Sequence, residues 1–210
     1  PRQKILENIG FPSVEEKAKM YENAYKKFTE AGYVAIGMDH FCRPNDEFYL
    51  ALKNNQLHRN FQGYCTTKTT GQVYGFGASS ISQLFSAYSQ NVKNAAQYIK
   101  KINEKNTAVL RGYKLNKKEK IIRDVINSIM CNYYVDFSEI SERFNTNSKN
   151  IKEILDFKDE KFDDFLNLNL MRIKNDTVSI SHDARLFIRN IAMEFDPLLN
   201  NKIGTYSKTI

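Results

Sequence analysis

YVAIGM, residues 33–38, follows directly on Gly32 and is apolar at almost every position. An unbroken apolar run of this length reads as a strand covered on both faces. The segment before it, residues 13–31, reads as an amphipathic helix. Ser13 and Glu16 have capping-box spacing after Pro12, and Val14, Ala18, Tyr21, Tyr25 and Phe28 fall on one face. Gly32 stops that helix. A helix, a one-glycine stop and a two-sided strand together predict an αβ unit with a parallel sheet. In such folds ligands gather beyond the carboxyl ends of strands, where Asp39 and His40 stand.

Further along, RPNDEFYLALKNNQ (43–56) opens with a turn and predicts a short helix near 46–53. Residues 58–80 are polar and glycine-bearing, and predict a long irregular loop of the kind that carries function. VYGFGASSIS (73–82) ends it with a short strand, tight glycines and a helix start at Ser79 or Ser80, the helix running on over roughly 82–103. The character changes around 107–115. Asn116 and Glu119 then form a second capping-box pair, ahead of a stripe of Ile121, Ile122, Val125, Ile126, Ile129 and Met130. Short helices follow at FSEISERF and DEKFDDFLNL. Met171 and Ile173 alternate before Asn175-Asp176, and Val178 and Ile180 after it, which signals a hairpin. A last helix from about Ala184 places Ala184, Phe187, Ile188, Ile191, Ala192 and Phe195 on one face. Helices closed by a hairpin and a further helix suggest a small winged-helix-like module, so the fold class is α/β first, then mostly α.

The 210 residues are 41% hydrophobic, enough for a buried core. No apolar run approaches the roughly 20 residues of a membrane span. PRQKILENIGFPS lacks the apolar region of a secretory signal and any initiating methionine, so a piece of a longer cytoplasmic chain is expected. The net charge is +7, but no basic stripe concentrates it. Residues 1–110 carry 14 basic and 9 acidic side chains, and residues 111–210 carry 17 and 15. That distribution disfavours nucleic acid and favours small anions with carboxylates or phosphates. Cys42, Cys65 and Cys131 are too far apart for a disulfide framework or a metal-ligand set. A metal centre would need ligands outside these residues.

GMDHFCRP (37–44), LHRNFQGYCT (57–66), GFGASSIS (75–82), RDVINSIMCN (123–132) and RLFIRNIAMEFD (185–196) occur in this order. Together they resemble the carboxyl-terminal half of the oxygen-independent coproporphyrinogen III oxidases, a radical S-adenosylmethionine family. HRNFQGY separates these from the related haem chaperones. The resemblance implies that residues 1–110 hold the last part of a partial (β/α) barrel with an active-site loop, and residues 111–210 a small helical winged-helix-like domain. It implies oxidative decarboxylation of two propionates of coproporphyrinogen III to vinyls, giving protoporphyrinogen IX in anaerobic haem biosynthesis. The cofactors implied are S-adenosylmethionine and a [4Fe–4S] cluster, with a reductant as electron source. The cluster's CxxxCxxC loop is absent from this sequence, so these residues alone are expected to be inactive.

By the same resemblance Gln62 and Ile81 match positions that bind S-adenosylmethionine, and His58, Arg59, Asp39, His40 and Tyr64 are substrate-binding candidates. The residue types suit the work. Gln62 offers donor and acceptor, Gly63 allows close backbone approach, Arg59 can hold a carboxylate bidentately and His58 can add one bond. Bland readings stand beside these. Arg59 and Gln62 could tie a loop to its own carbonyls, His40 and His58 could be structural, and Asp39 could cap a helix. Tyr64 and Phe61 could simply pack, His182 suits a capping or surface role, and GFGASS is weak as a phosphate cradle. A tetrapyrrole carrier without turnover and a winged-helix DNA-binding module are the alternative functions.

Overall fold

The computed structural model describes residues 10–68 and 71–199. Helix α1, Val14–Glu30, starts at the expected capping box: the Ser13 hydroxyl accepts from the Glu16 amide and the Glu16 carboxylate accepts from the Ser13 amide. Its apolar stripe is only partly covered, because Val14 and Phe28 are exposed and no residue of α1 is buried. What holds it is a set of tyrosine and phenylalanine contacts. The Tyr21 hydroxyl donates to the Met38 carbonyl at 2.8 Å, and Phe28 stacks on Phe41 at 4.8 Å.

Strand β1, Val34–Gly37, follows, but it pairs antiparallel with β2, His40–Cys42. Every strand pairing among the described residues is antiparallel, which corrects the parallel sheet expected from YVAIGM. The run is apolar because side chains, rather than further strands, close over it. Ile36 is 1% exposed, its carbonyl accepts from the Tyr133 hydroxyl at 3.2 Å, and the Tyr64 ring lies against Gly37.

Helix α2, Glu47–Lys53, is capped by Asp46. The segment expected to be an irregular loop from residue 58 opens instead as a hairpin of β3, Leu57–Asn60, and β4, Gly63–Thr66. Arg59 pairs with Tyr64 and Asn60 with Gly63 across the Phe61-Gln62 turn. Gly63, at φ +141°, takes a conformation closed to other residues.

A second correction concerns residues 79–94. Ser79 has φ +62°, which no helix start allows, and residues 81–91 form β5, Ile81–Gln83, and β6, Ala87–Asn91. Helix α3 is confined to Ala95–Lys105 behind an Asn94 cap. Strand β7, Val109–Lys114, completes a sheet of order β5-β6-β7.

Helix α4, Lys117–Asn132, begins at the Asn116–Glu119 capping box and buries Ile121, Ile122, Val125, Ile129, Met130 and Cys131. Around it stand α5, Phe137–Arg143, α6, Ser148–Ile154, α7, Asp163–Asn167, and the sheet β8-β10-β9. That sheet comprises Tyr134–Asp136, Met171–Lys174 and Thr177–Ile180, with Asn175-Asp176 making the expected turn. A 3-10 turn, Asp183–Phe187, leads into α8, Ile188–Met193. The tighter pitch turns Phe187 outward, 41% exposed, whereas Ala184, Ile188, Ile191, Ala192 and Phe195 are buried as expected. One core cluster runs from Ile36, Leu57 and Tyr64 through α4 to Phe137, Phe162 and Phe195.

A Cβ at Gly37 would overlap the Tyr64 hydroxyl oxygen and lie 2.6 Å from the ring carbon that bears it. Gly37→Ala should therefore lower stability by about 1–3 kcal/mol in denaturant unfolding, because a packed ring must move. Tyr64→Phe should cost nothing or raise stability, since the hydroxyl it removes is buried without a partner.

Candidate functional site

Alternation along β3 sets the geometry. Leu57 points into the core, His58 and Arg59 leave on opposite faces, and each enters a different cleft beside α4. Arg59 lies over the Tyr64 ring at 5.7 Å, and its Nε is buried with no hydrogen-bond partner. The edge of the same ring meets His40 at 5.0 Å, and His40 Nδ1 bonds the Asp39 carboxylate at 2.8 Å. Asp39, His40, Tyr64 and Arg59 thus form one connected array from an exposed turn to a half-buried cation. Asp39 caps no helix; its partner is the adjacent imidazole. Burial pushes the Tyr64 phenol above its usual range, which keeps it neutral.

His58 is not part of that array. It shares its cleft with Thr67, Asp124 and Arg143, and Asp124 is paired with Arg143 at 3.0 Å. Burial raises the Asp124 carboxyl despite that cation. Burial likewise holds the His58 imidazole below the ordinary histidine range, with Asp124 opposing and Arg123 reinforcing the shift.

Gln62 sits exposed at the β3–β4 turn, where its amide donates to the Asn60 side chain at 2.8 Å. The neighbouring Phe61 amide donates to Gln83 at 3.1 Å. Gln83 and Ile81 alternate onto the same face of β5, so Ile81 stands roughly 7 Å along the strand from that contact. Ile81 is 37% exposed and borders a shallow hollow with Tyr88, Arg111 and Tyr113. The structure therefore brings Gln62 and Ile81 to one neighbourhood, with Arg59 and Gln83 in the adjoining cleft of about 320 Å³. Arg123, Asn127 and Arg189 line that cleft too. They went unsingled in the sequence because RDVINSIMCN and RLFIRNIAMEFD read there as apolar helix faces, although the polar positions between the apolar ones were visible.

Among the described residues no group of three or more His, Cys, Asp or Glu could hold a metal ion. Cys42 and Cys131 are buried and Cys65 is half-buried; burial pushes all three thiols up, Cys131 to about 12. His182 lies on the surface, near Asp183 and the Tyr25 hydroxyl.

Because folded His58 resists protonation, the unfolded chain takes up its proton first, near the ordinary value of 6.5. Stability present above that pH should then be lost as pH falls through the folded value. Asp124, protonated more readily folded than unfolded, offsets part of the loss at lower pH. Thermal melting of His58→Gln between about pH 7 and 5 should show a shallower acid-side decline than the wild type.

No family model matches the chain. It is 35% identical, over 96% of its length, to oxygen-independent coproporphyrinogen III oxidase from Synechocystis sp., and 34% identical over 95% to the Escherichia coli protein of that name. It spans 43% of the length of each. A Thermostichus vulcanus relative with the same name is 33% identical over all of this chain, which covers 64% of it. The solved structure of coproporphyrinogen III oxidase from Escherichia coli, described as a radical SAM enzyme, matches with a TM-score of 0.80 and 34% identity, over 89% of this chain and 42% of that one. In sequence and in fold, then, the chain corresponds along nearly its whole length to the carboxyl-terminal part of the oxygen-independent coproporphyrinogen III oxidases.

Proposed function

We propose that these residues supply the substrate- and cofactor-facing carboxyl-terminal part of an oxygen-independent coproporphyrinogen III oxidase. The reaction is the oxidative decarboxylation of two propionates of coproporphyrinogen III to vinyls. The observation that carries this reading is the joint match of sequence and fold over nearly the whole chain. In this reading residues 1–110 bring the last part of a partial (β/α) barrel, and residues 111–210 form a winged-helix-like unit with β8, β9 and β10 as its wing. A cytoplasmic setting belongs to the same reading and is supported by three free cysteines. No helix among the described residues is long and apolar enough to cross a membrane.

The two implied cofactors fare differently here. A [4Fe–4S] cluster does not fit these residues, since the thiols are separate, buried and held protonated, and no step is assigned to it. S-adenosylmethionine would be held by Gln62, exposed at the hairpin turn, and by Ile81, exposed beside Tyr88. When bound, it supplies the hydrogen-abstracting chemistry of the reaction. The chain's own residues do the rest. Gln62 orients the polar end of the ligand, Ile81 and Tyr88 cover its apolar surface, and Arg59 fixes a propionate. The Asp39–His40 pair, edge-on to Tyr64, holds a proton-bearing group at the rim. His58, in its separate cleft, supports β3 against α4 rather than sharing an arm with Arg59.

Anaerobic assay of the full-length protein, with a reductant supplying electrons, should convert coproporphyrinogen III to protoporphyrinogen IX. Gln62→Ala should cut that turnover by about tenfold to a hundredfold with an unchanged melting temperature, since it displaces the reacting partner without touching the core. Full turnover in that variant would remove Gln62 from the site.

A further inference from the structure

The cleft beside Arg59 holds more cation than the sequence alone suggested. Arg59 enters from β3, Arg123 from α4 and Arg189 from α8, while Asp196 is the one carboxylate among its described lining residues. Neither Arg59 nor Arg123 forms an ion pair with a carboxylate among the described residues. Arg123 is instead spent on position: it donates to the Leu84 carbonyl at 3.3 Å and the Phe85 carbonyl at 2.6 Å. Those bonds pin its guanidinium in place without neutralising it. Arg59 is held by the Tyr64 ring beneath it, and a buried Nε–H is left without an acceptor. An orphaned donor on a charged fork costs stability unless a ligand completes it. Ile126, Met130 and Ala192 form the apolar part of the wall, and Asn60, Gln83 and Asn127 add neutral polar groups.

Guanidiniums set in a partly apolar wall select a ligand that is itself an apolar body with carboxylates attached. A volume of about 320 Å³ seats one edge of a macrocycle rather than the whole of it. Tyr88 borders both this cleft and the hollow beside Ile81, so an arm held here projects its neighbouring ring toward the Gln62–Ile81 side. We infer that the Arg59–Arg123–Arg189 cleft is a dicarboxylate subsite that anchors two propionate arms of a tetrapyrrole, with Arg59 as the bidentate contact. This rests on the functional reading above and extends it to a site formed by α4 and α8 as well as by the hairpin.

The test is equilibrium binding rather than turnover. Coproporphyrin III, the oxidised and unreactive form of the substrate, is titrated into the full-length protein by fluorescence, beside its tetramethyl ester. The free acid should bind about tenfold to a hundredfold more tightly than the ester, the range expected for charge-assisted bonds. Arg59→Gln should lose that advantage. Arg59→Lys should keep only part of it, because charge remains and the fork does not. Arg189→Gln gives an independent measure should Arg59→Gln fail to fold, which its melting curve would reveal. Equal binding of acid and ester, or unchanged acid binding in both glutamine variants, overturns the subsite. Turnover with a wild-type affinity in these variants sinks the subsite but leaves the enzyme assignment standing. Acid-selective, Arg59-dependent binding without turnover does the reverse.

Discussion

Burial of the apolar stripe of α4 is the constraint on which the remaining elements depend. Six of its residues are buried, and it packs against β1, β3, β8, α5, α6 and α8. At about 1.5–3 kcal/mol for each large apolar side chain removed from water, this single helix contributes on the order of the net stability of a typical domain. A stripe of that size leaves only narrow flanks for polar side chains. Arg123 and Asp124, successive residues about 100° apart on the helix, both reach a cleft that holds His58, and Arg123 also lines the cleft beside Arg59.

The hairpin β3–β4 meets α4 at these clefts. Its period of two turns Arg59 into a cleft shared with Arg123 and Arg189, and His58 into one shared with Asp124, Arg143 and Arg123, so neighbouring residues meet unlike environments. On one side a guanidinium lies over an aromatic ring. On the other, imidazole and carboxyl are both pushed toward their neutral forms by burial. Gly37 makes the first arrangement possible, since any side chain there would displace Tyr64 and, with it, the support under Arg59.

What was legible in the sequence was local. The Ser13–Glu16 and Asn116–Glu119 boxes, the Asn175-Asp176 turn and, Phe187 apart, the core face of the last helix depend on near neighbours in the chain, and these are found. What was not legible depended on distant partners. YVAIGM is covered by Tyr64 and Tyr133 rather than by parallel strands, and nothing in those six residues distinguishes the two. HRNFQGY hid its strands because Arg59 shares the core-facing side with Leu57 and Tyr64, leaving no apolar alternation to read. Residues 79–91 looked like a helix start until Ser79 took a left-handed conformation. Of the candidate residues, Asp39, His40, Tyr64 and Arg59 form one array and Gln62 and Ile81 stand to either side of the Phe61–Gln83 contact, while Arg123 and Arg189 come from segments whose apolar residues drew the eye.

The opposed directions of His58 and Arg59 bear on how this protein can drift. A deletion or insertion of one residue between α2 and the Phe61-Gln62 turn would exchange the two side chains between faces, placing an imidazole among guanidiniums and a guanidinium against Arg143. Substitutions in that connector are cheap, but indels are not, so its length should be far better preserved through descent than its letters.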